Sequence, residues 1–186
     1  MRKTVTLEID GKEVKAEEGM TILKAAQQAS IEIPTLCFHE ELEPYGGCRL
    51  CSVEIEKRGR TQIVASCCYP VEEGLKVKTT SEKVERIRKT IVELLLPMSP
   101  SGPIQSLAQK YGIKKSRFQP ESTRCILCGL CVRYCCEIKK ENAVTFAGRG
   151  ALRKITVVPE KAGVCASCRA CFDLCPGGKI IDITAI

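Results

Sequence analysis

Tryptophan is absent from this 186-residue chain, histidine occurs once, at His39, and only four tyrosines and four phenylalanines are present. So few aromatics leave little for nucleic-acid bases to stack on. No Ser-His-Asp arrangement is read around the single histidine, and neither a Walker A loop nor a G-x-G-x-x-G after a strand occurs. Gly148-Arg149-Gly150 is too short to count as a dinucleotide signal. The longest apolar run is far too short to cross a bilayer. The N-terminus, Met1-Arg2-Lys3-Thr4-Val5, passes into alternating polar and apolar residues without an apolar export signal. A soluble cytoplasmic protein is expected.

What the chain has in excess is cysteine. There are 14, clustered, with none in residues 1–36 or 69–124. In a reducing compartment such clusters point to metal binding or catalysis rather than to disulfides. Near the C-terminus Cys125, Cys128, Cys131 and Cys135 are echoed by Cys165, Cys168, Cys171 and Cys175, with Pro176 following. Both runs have the C-x2-C-x2-C-x3-C spacing that holds paired 4Fe-4S clusters, in which the fourth cysteine of each run ligates the other cluster. The first cluster is therefore assigned to Cys125, Cys128, Cys131 and Cys175, and the second to Cys135, Cys165, Cys168 and Cys171. Structural zinc is the competing reading. It asks for two separated cysteine pairs around a tetrahedron, and these runs overcrowd one ion.

A further group lies in the N-terminal half: Cys37, then Cys48-Arg49-Leu50-Cys51, then Cys67 beside Cys68. Four thiolates suffice for a 2Fe-2S cluster, and Gly46-Gly47 before Cys48 suits a loop whose backbone N–H groups must approach sulfide closely. The spacing C-x10-C-x2-C-x15-C differs from the plant-type pattern, so zinc competes here as well. Cys68 and Cys136 adjoin proposed ligands and read as packing or shielding residues. His39, two residues after Cys37, reads as a local hydrogen-bonding group.

The formal charge of +7 counts every cysteine as a neutral thiol. With twelve as thiolates on three oxidised clusters, each cluster and its ligands carry about −2, and the loaded chain falls to about +1. Much of the basic excess then offsets cluster charge.

Residues 3–9 alternate with period two, Asp10-Gly11 signals a tight hairpin, and 12–16 resume as a strand. Residues 21–30 predict a helix with Ile22, Ala25, Ala26 and Ala29 on its inner face, ended by Pro34. Strands are expected at 52–56 and 61–66, flanking Arg58-Gly59, and at 75–78. Residues 81–96 predict a helix capped by Ser81 and stopped by Pro97. Its expected buried stripe is Val84, Ile87, Ile91, Leu94 and Leu95, with Lys83, Arg86, Arg88 and Lys89 on a solvated face. Residues 98–103 predict a loop and 104–111 a short helix. The fold class expected is α+β: a β-grasp 2Fe-2S domain over 1–80, a helical connector without cluster ligands over 81–119, and a bacterial-type two-cluster 4Fe-4S ferredoxin domain over 120–186.

Ile33-Pro34-Thr35-Leu36-Cys37-Phe38-His39, Pro44-Tyr45-Gly46-Gly47-Cys48-Arg49-Leu50-Cys51 and Ala65-Ser66-Cys67-Cys68-Tyr69-Pro70-Val71 resemble the 2Fe-2S domain of the large iron-sulfur subunit of respiratory complex I. They are similar also to iron-only hydrogenases, NAD-linked formate dehydrogenase α subunits and hydrogenase diaphorase γ subunits. Phe146-Ala147-Gly148-Arg149-Gly150, between the C-terminal runs, is similar to the same relatives. The resemblance favours Cys67 over Cys68 as the fourth 2Fe-2S ligand. It has one departure. Such relatives carry a His and three Cys after the connector helix for another 4Fe-4S cluster, whereas residues 97–118 contain neither residue, although Leu107-Ala108-Gln109-Lys110-Tyr111-Gly112-Ile113 resembles the flanking sequence. That cluster is expected to be missing and its loop retained.

The resemblance implies a non-catalytic electron-transfer subunit of a cytoplasmic oxidoreductase. A flavoprotein using NAD(H) or NADP(H) would be one partner, and a hydrogenase, formate dehydrogenase or aldehyde oxidoreductase subunit another, with soluble ferredoxin a third candidate. The alternatives are a free-standing ferredoxin-like carrier and a zinc-dependent interaction or nucleic-acid module.

Overall fold

The computed structural model describes residues 3–119 and 124–178. The expected start of the C-terminal module at 120 lies outside the described residues. Two compact units are present: one joins Leu36 and the residues before it to Pro44–Ile91, and the other joins Cys37–Glu43 to Val92 and the residues after it.

In the first unit, β1 (Thr4–Ile9) and β2 (Lys12–Glu17) form the hairpin that the alternation predicts. Asp10 and Gly11 both have positive φ, 50° and 80°, as a two-residue turn matched to strand twist requires. The helix α1 (Ile22–Gln28) is capped by Thr21, whose hydroxyl accepts from the Lys24 N–H. It buries Ile22, Leu23, Ala25 and Ala26, with Ala29 only half-buried at its end. Then β3 (Ser52–Lys57), β4 (Arg60–Ala65) and β5 (Lys76–Lys78) complete a five-stranded sheet in the order β2-β1-β5-β3-β4. β5 runs parallel to β1 and antiparallel to β3, so the sheet is mixed, with core residues such as Leu7, Ile9, Val53 and Ile55 essentially inaccessible.

The helix α2 (Glu82–Leu95) corrects the expected stripe. The buried positions are Val84, Arg88, Val92 and Leu96, four residues apart, while Leu94 is 47% exposed and Ile87, Ile91 and Leu95 are half-buried. Arg88, expected on a solvated face, is only 2% exposed. An i, i+4 row keeps one face of a helix, and the arginine takes a place in it because its guanidinium finds backbone acceptors. Ser81 does cap the helix, its hydroxyl accepting from the Val84 N–H.

The second unit contains α3 (Gly102–Lys110), α4 (Leu130–Arg133) running into a wide π turn (Tyr134–Ile138), the hairpin strands β6 (Val144–Ala147) and β7 (Lys154–Val157), and α5 (Ala162–Cys168). Its core gathers Cys131, Cys135, Cys165 and Cys171 with Ala143 and Val144. Cysteines share this interior with buried aliphatic residues such as Ile104 and Leu130. Among the described residues no helix is long and apolar enough to cross a membrane.

Candidate iron-sulfur cluster sites

In the first unit the β3–β4 ladder brings Cys51 and Cys67 together. Ser52 pairs with Ala65, so the residues just before β3 and just after β4 meet at one end of the sheet. The Ser66 N–H and hydroxyl both donate to the Cys51 carbonyl, at 3.2 and 2.8 Å. The two thiols lie 3.3 Å apart, each 1% exposed. The hydrogen bond with Cys51, then burial, pushes the Cys67 thiol far above its ordinary range. The loop carrying Cys67 is held by α1, whose first-turn N–H groups at Ile22 and Leu23 donate to Tyr69 and Ser66 carbonyls, using donors that a helix start leaves free. Cys68 is exposed, with its sulfur 3.5 Å from that of Cys67, and Cys48 is half-buried. Gly46 sits at φ +66°, where a Cβ would lie 2.9 Å from the Cys68 sulfur.

Cys37 is buried in the second unit. Its carbonyl accepts from Arg133 at 3.1 Å, the Glu43 carbonyl accepts from the same guanidinium, and the Glu43 N–H donates to Glu137. Arg133 also pairs with Glu137 at 3.4 Å. Sequence reasoning missed this tie, and nothing in the spacing marks it, because the partners are 90 or more residues apart. His39 behaves as expected: its Nδ1 accepts from the Glu41 N–H, and its ring meets Tyr134 edge-on.

The eight C-terminal cysteines line two cavities. Cys125, Cys128, Cys131 and Cys175 surround one, with Ile126, Gly129, Leu130, Ile155, Pro176 and Gly177. Cys135, Cys165, Cys168 and Cys171 surround the other, with Tyr134, Ala143, Val144 and Val164 among its walls. Cys175 reaches the first run because the chain after it lies against the chain before Cys125: a Cβ on Gly177 would stand 2.0 Å from the Arg124 carbonyl oxygen. α4 and the π turn supply Cys131 to one cavity and Cys135 to the other. Backbone N–H groups reach the sulfurs in both cavities. The Ala143 N–H donates to the Cys135 sulfur at 3.1 Å, and the Leu127 N–H to that of Cys125 at 3.4 Å.

Burial pushes the Cys128 thiol up to about 12, and burial with the nearby Cys165 pushes Cys171 up to about 11. Burial raises Cys131 and Cys165 too. Such thiols are protonated at neutral pH, so metal loading must release protons. Among the described residues no three His, Cys, Asp or Glu side chains close on a single metal ion. Four sulfurs around an apolar cavity instead fit a group several atoms wide.

A 2Fe-2S iron-sulfur cluster binding domain model matches residues 2–82, and the ferredoxin-like domain model of NADH-quinone oxidoreductase subunit 3 matches 116–181. A chain of NAD+-reducing NiFe-hydrogenase in the H2-reduced state has 33% identity and a TM-score of 0.72, covering 83% of this chain and 75% of that one.

The chain belongs to the iron-sulfur subunit family of NADH dehydrogenases and hydrogenases.

Other members of the family are longer. The NADPH-Fe(3+) oxidoreductase subunit alpha of Geobacter sulfurreducens is 36% identical over 204 positions, covering 96% of this chain and 24% of that protein. The NADH-ubiquinone oxidoreductase 75 kDa subunit of Reclinomonas americana is 33% identical over 202 positions, covering 95% and 29%. The chain thus spans about a quarter of the length of these curated family members. Both alignments exceed this chain's 186 residues, so these two members carry additional residues inside the matched span.

Proposed function

We propose that this chain is the iron-sulfur electron-transfer subunit of a cytoplasmic multi-subunit oxidoreductase, receiving electrons from or passing them to a flavoprotein that uses NAD(H) or NADP(H). The other partner is a separate catalytic subunit of hydrogenase, formate dehydrogenase or aldehyde oxidoreductase type, or soluble ferredoxin. The observation that carries the proposal is the pair of four-cysteine cavities, which supports 4Fe-4S ligation by Cys125, Cys128, Cys131 and Cys175 and by Cys135, Cys165, Cys168 and Cys171. Cys37, Cys48, Cys51 and Cys67 would hold a 2Fe-2S cluster. The 3.3 Å approach of Cys51 and Cys67 and the family model over 2–82 favour that set. When bound, the clusters supply one-electron chemistry. The chain's own residues fix the thiolates, exclude water and direct N–H groups at sulfur.

The proposed organisation is a β-grasp domain over 1–80, a connector over 81–119 and a two-cluster ferredoxin domain over 120–186. Residues 97–118 hold no cysteine or histidine, which supports a missing connector cluster with its loop retained. Electrons would then pass between the two modules without a connector cluster.

Anaerobic purification from the native source tests the proposal. A flavoprotein and a catalytic oxidoreductase subunit should co-purify in fixed ratio. A brown monomer without partners would support the free carrier instead, and a colourless zinc protein would reject both.

A further inference from the structure

All three carbonyls around Cys51 are held by side chains of the same unit. The Arg88 Nε donates to the Leu50 carbonyl at 3.2 Å and its Nη2 to the Ser52 carbonyl at 2.7 Å, while Ser66 holds the carbonyl of Cys51 itself. The Ser52 hydroxyl adds a 2.6 Å bond to the Arg49 carbonyl. Arg88 therefore grips the backbone on both sides of one thiol, from a helix about one turn away from either Val84 or Val92 in the same buried row.

The charge is harder to account for by packing alone. The Arg88 side chain is 3% exposed, and its carboxylate partner Glu85 is 43% exposed, at 3.4 Å from Nη1. A guanidinium taken out of water costs several kcal/mol unless closely compensated, and two carbonyls with one half-wet carboxylate are a thin counterweight. A methionine or leucine would fill an i, i+4 row more cheaply. An anionic group beside Cys51 would make the buried cation favourable.

We infer that Arg88 is a positioning residue for the proposed 2Fe-2S cluster, fixing the Cys51 loop and supplying a buried positive charge that raises the cluster's reduction potential. The inference rests on the 2Fe-2S assignment to Cys37, Cys48, Cys51 and Cys67. A fixed cation favours the form with one more electron, because reduction adds negative charge next to it. Its planar fork holds the two carbonyls through separate, rigidly spaced nitrogens, whereas a lysine offers a single point-like ammonium.

The test uses the full chain, loaded anaerobically, with Arg88→Gln, Arg88→Lys and Arg88→Met. The reduced fraction of the 2Fe-2S cluster is read by electron paramagnetic resonance during a redox titration, with the two 4Fe-4S signals as internal references. In Arg88→Gln the ratio of reduced to oxidised 2Fe-2S at the unaltered protein's midpoint should fall about tenfold, equivalent to about 59 mV for one electron, while the 4Fe-4S midpoints stay put. Arg88→Lys, which keeps the charge but not the fork, should retain more of the potential than Arg88→Gln and lose its 2Fe-2S absorbance to a chelator faster than the unaltered protein. Should Arg88→Met fail to fold, the glutamine and lysine variants decide. An unchanged 2Fe-2S midpoint in Arg88→Gln, or an equal shift of all three clusters, would overturn the inference. Absence of any 2Fe-2S signal in the unaltered protein would overturn the assignment it rests on.

Discussion

Single residues govern whether each quartet of thiols can close. Gly177 is the sharpest case, since its Cβ position lies 2.0 Å from a backbone oxygen that no side-chain rotation can move. Gly177→Ala should push the chain around Cys175 away from Cys125 and reduce occupancy of the first 4Fe-4S site severalfold, with the second site intact. Separate 4Fe-4S spectra with equal iron losses at both sites would contradict this. The adjacent pair Cys67 and Cys68 divides in the same way. Cys67 is buried against Cys51 whereas Cys68 is exposed, so Cys67→Ser should abolish the 2Fe-2S absorbance and Cys68→Ala should leave it. Spacing alone does not separate adjacent cysteines; the resemblance favours Cys67, and the two differ in burial. Thiol burial also sets a pH dependence. Without iron, Cys128 and Cys171 keep their protons to about 12 and about 11, whereas an unfolded thiol loses its proton near about 8.5. Their contribution to stability is thus complete below that value and lost as pH rises through the folded values. Thermal unfolding of iron-free protein should move to lower temperature between pH 8 and 10, by roughly 2 kcal/mol at pH 10 for a thiol held like Cys128, and a flat profile would count against these protonated, buried thiols.

At the scale of elements, the first unit was legible wherever one face is wet and the other dry. Alternation located β1 and β2, and Asp10-Gly11 located their turn, because both signals are local and each has a steric cause. The helix α2 was legible in extent but not in face. Its leucines and isoleucines suggested a stripe through Ile87 and Leu94, and the arginine at position 88 argued for solvent, whereas the structure buries Val84, Arg88, Val92 and Leu96. A charged residue was discounted because its acceptors, the carbonyls of Leu50 and Ser52, lie 36 or more positions away. Val92→Ala should therefore cost about 1–3 kcal/mol, and Leu94→Ala less than about 0.5 kcal/mol, in denaturant unfolding of the same protein. The reverse order would restore the stripe read from hydrophobicity. The strands β6 and β7 and the helices α4 and α5 escaped a reading by periodicity. Each is four to seven residues long, and the cysteines inside the helices are placed by cavity geometry rather than by an amphipathic pattern.

For the whole molecule, cysteine spacing was the most informative signal. Convergence of four thiols requires short, fixed loops, and those loops leave their lengths in the sequence. What spacing could not reveal was the scaffold: the Gly177 approach to Arg124, the Arg133 tie to Cys37 and the Arg88 grip on the Leu50 and Ser52 carbonyls all join distant segments. Membership in the iron-sulfur subunit family holds over nearly the full length of this chain, which spans only about a quarter of its longer relatives. The central claim is the number and kind of clusters. Iron and sulfide analysis of anaerobically reconstituted protein, with electron paramagnetic resonance after dithionite reduction, measures it directly. The account predicts about ten irons per chain, in one 2Fe-2S and two 4Fe-4S centres. Roughly fourteen irons, or a colourless, magnetically silent protein, would contradict it.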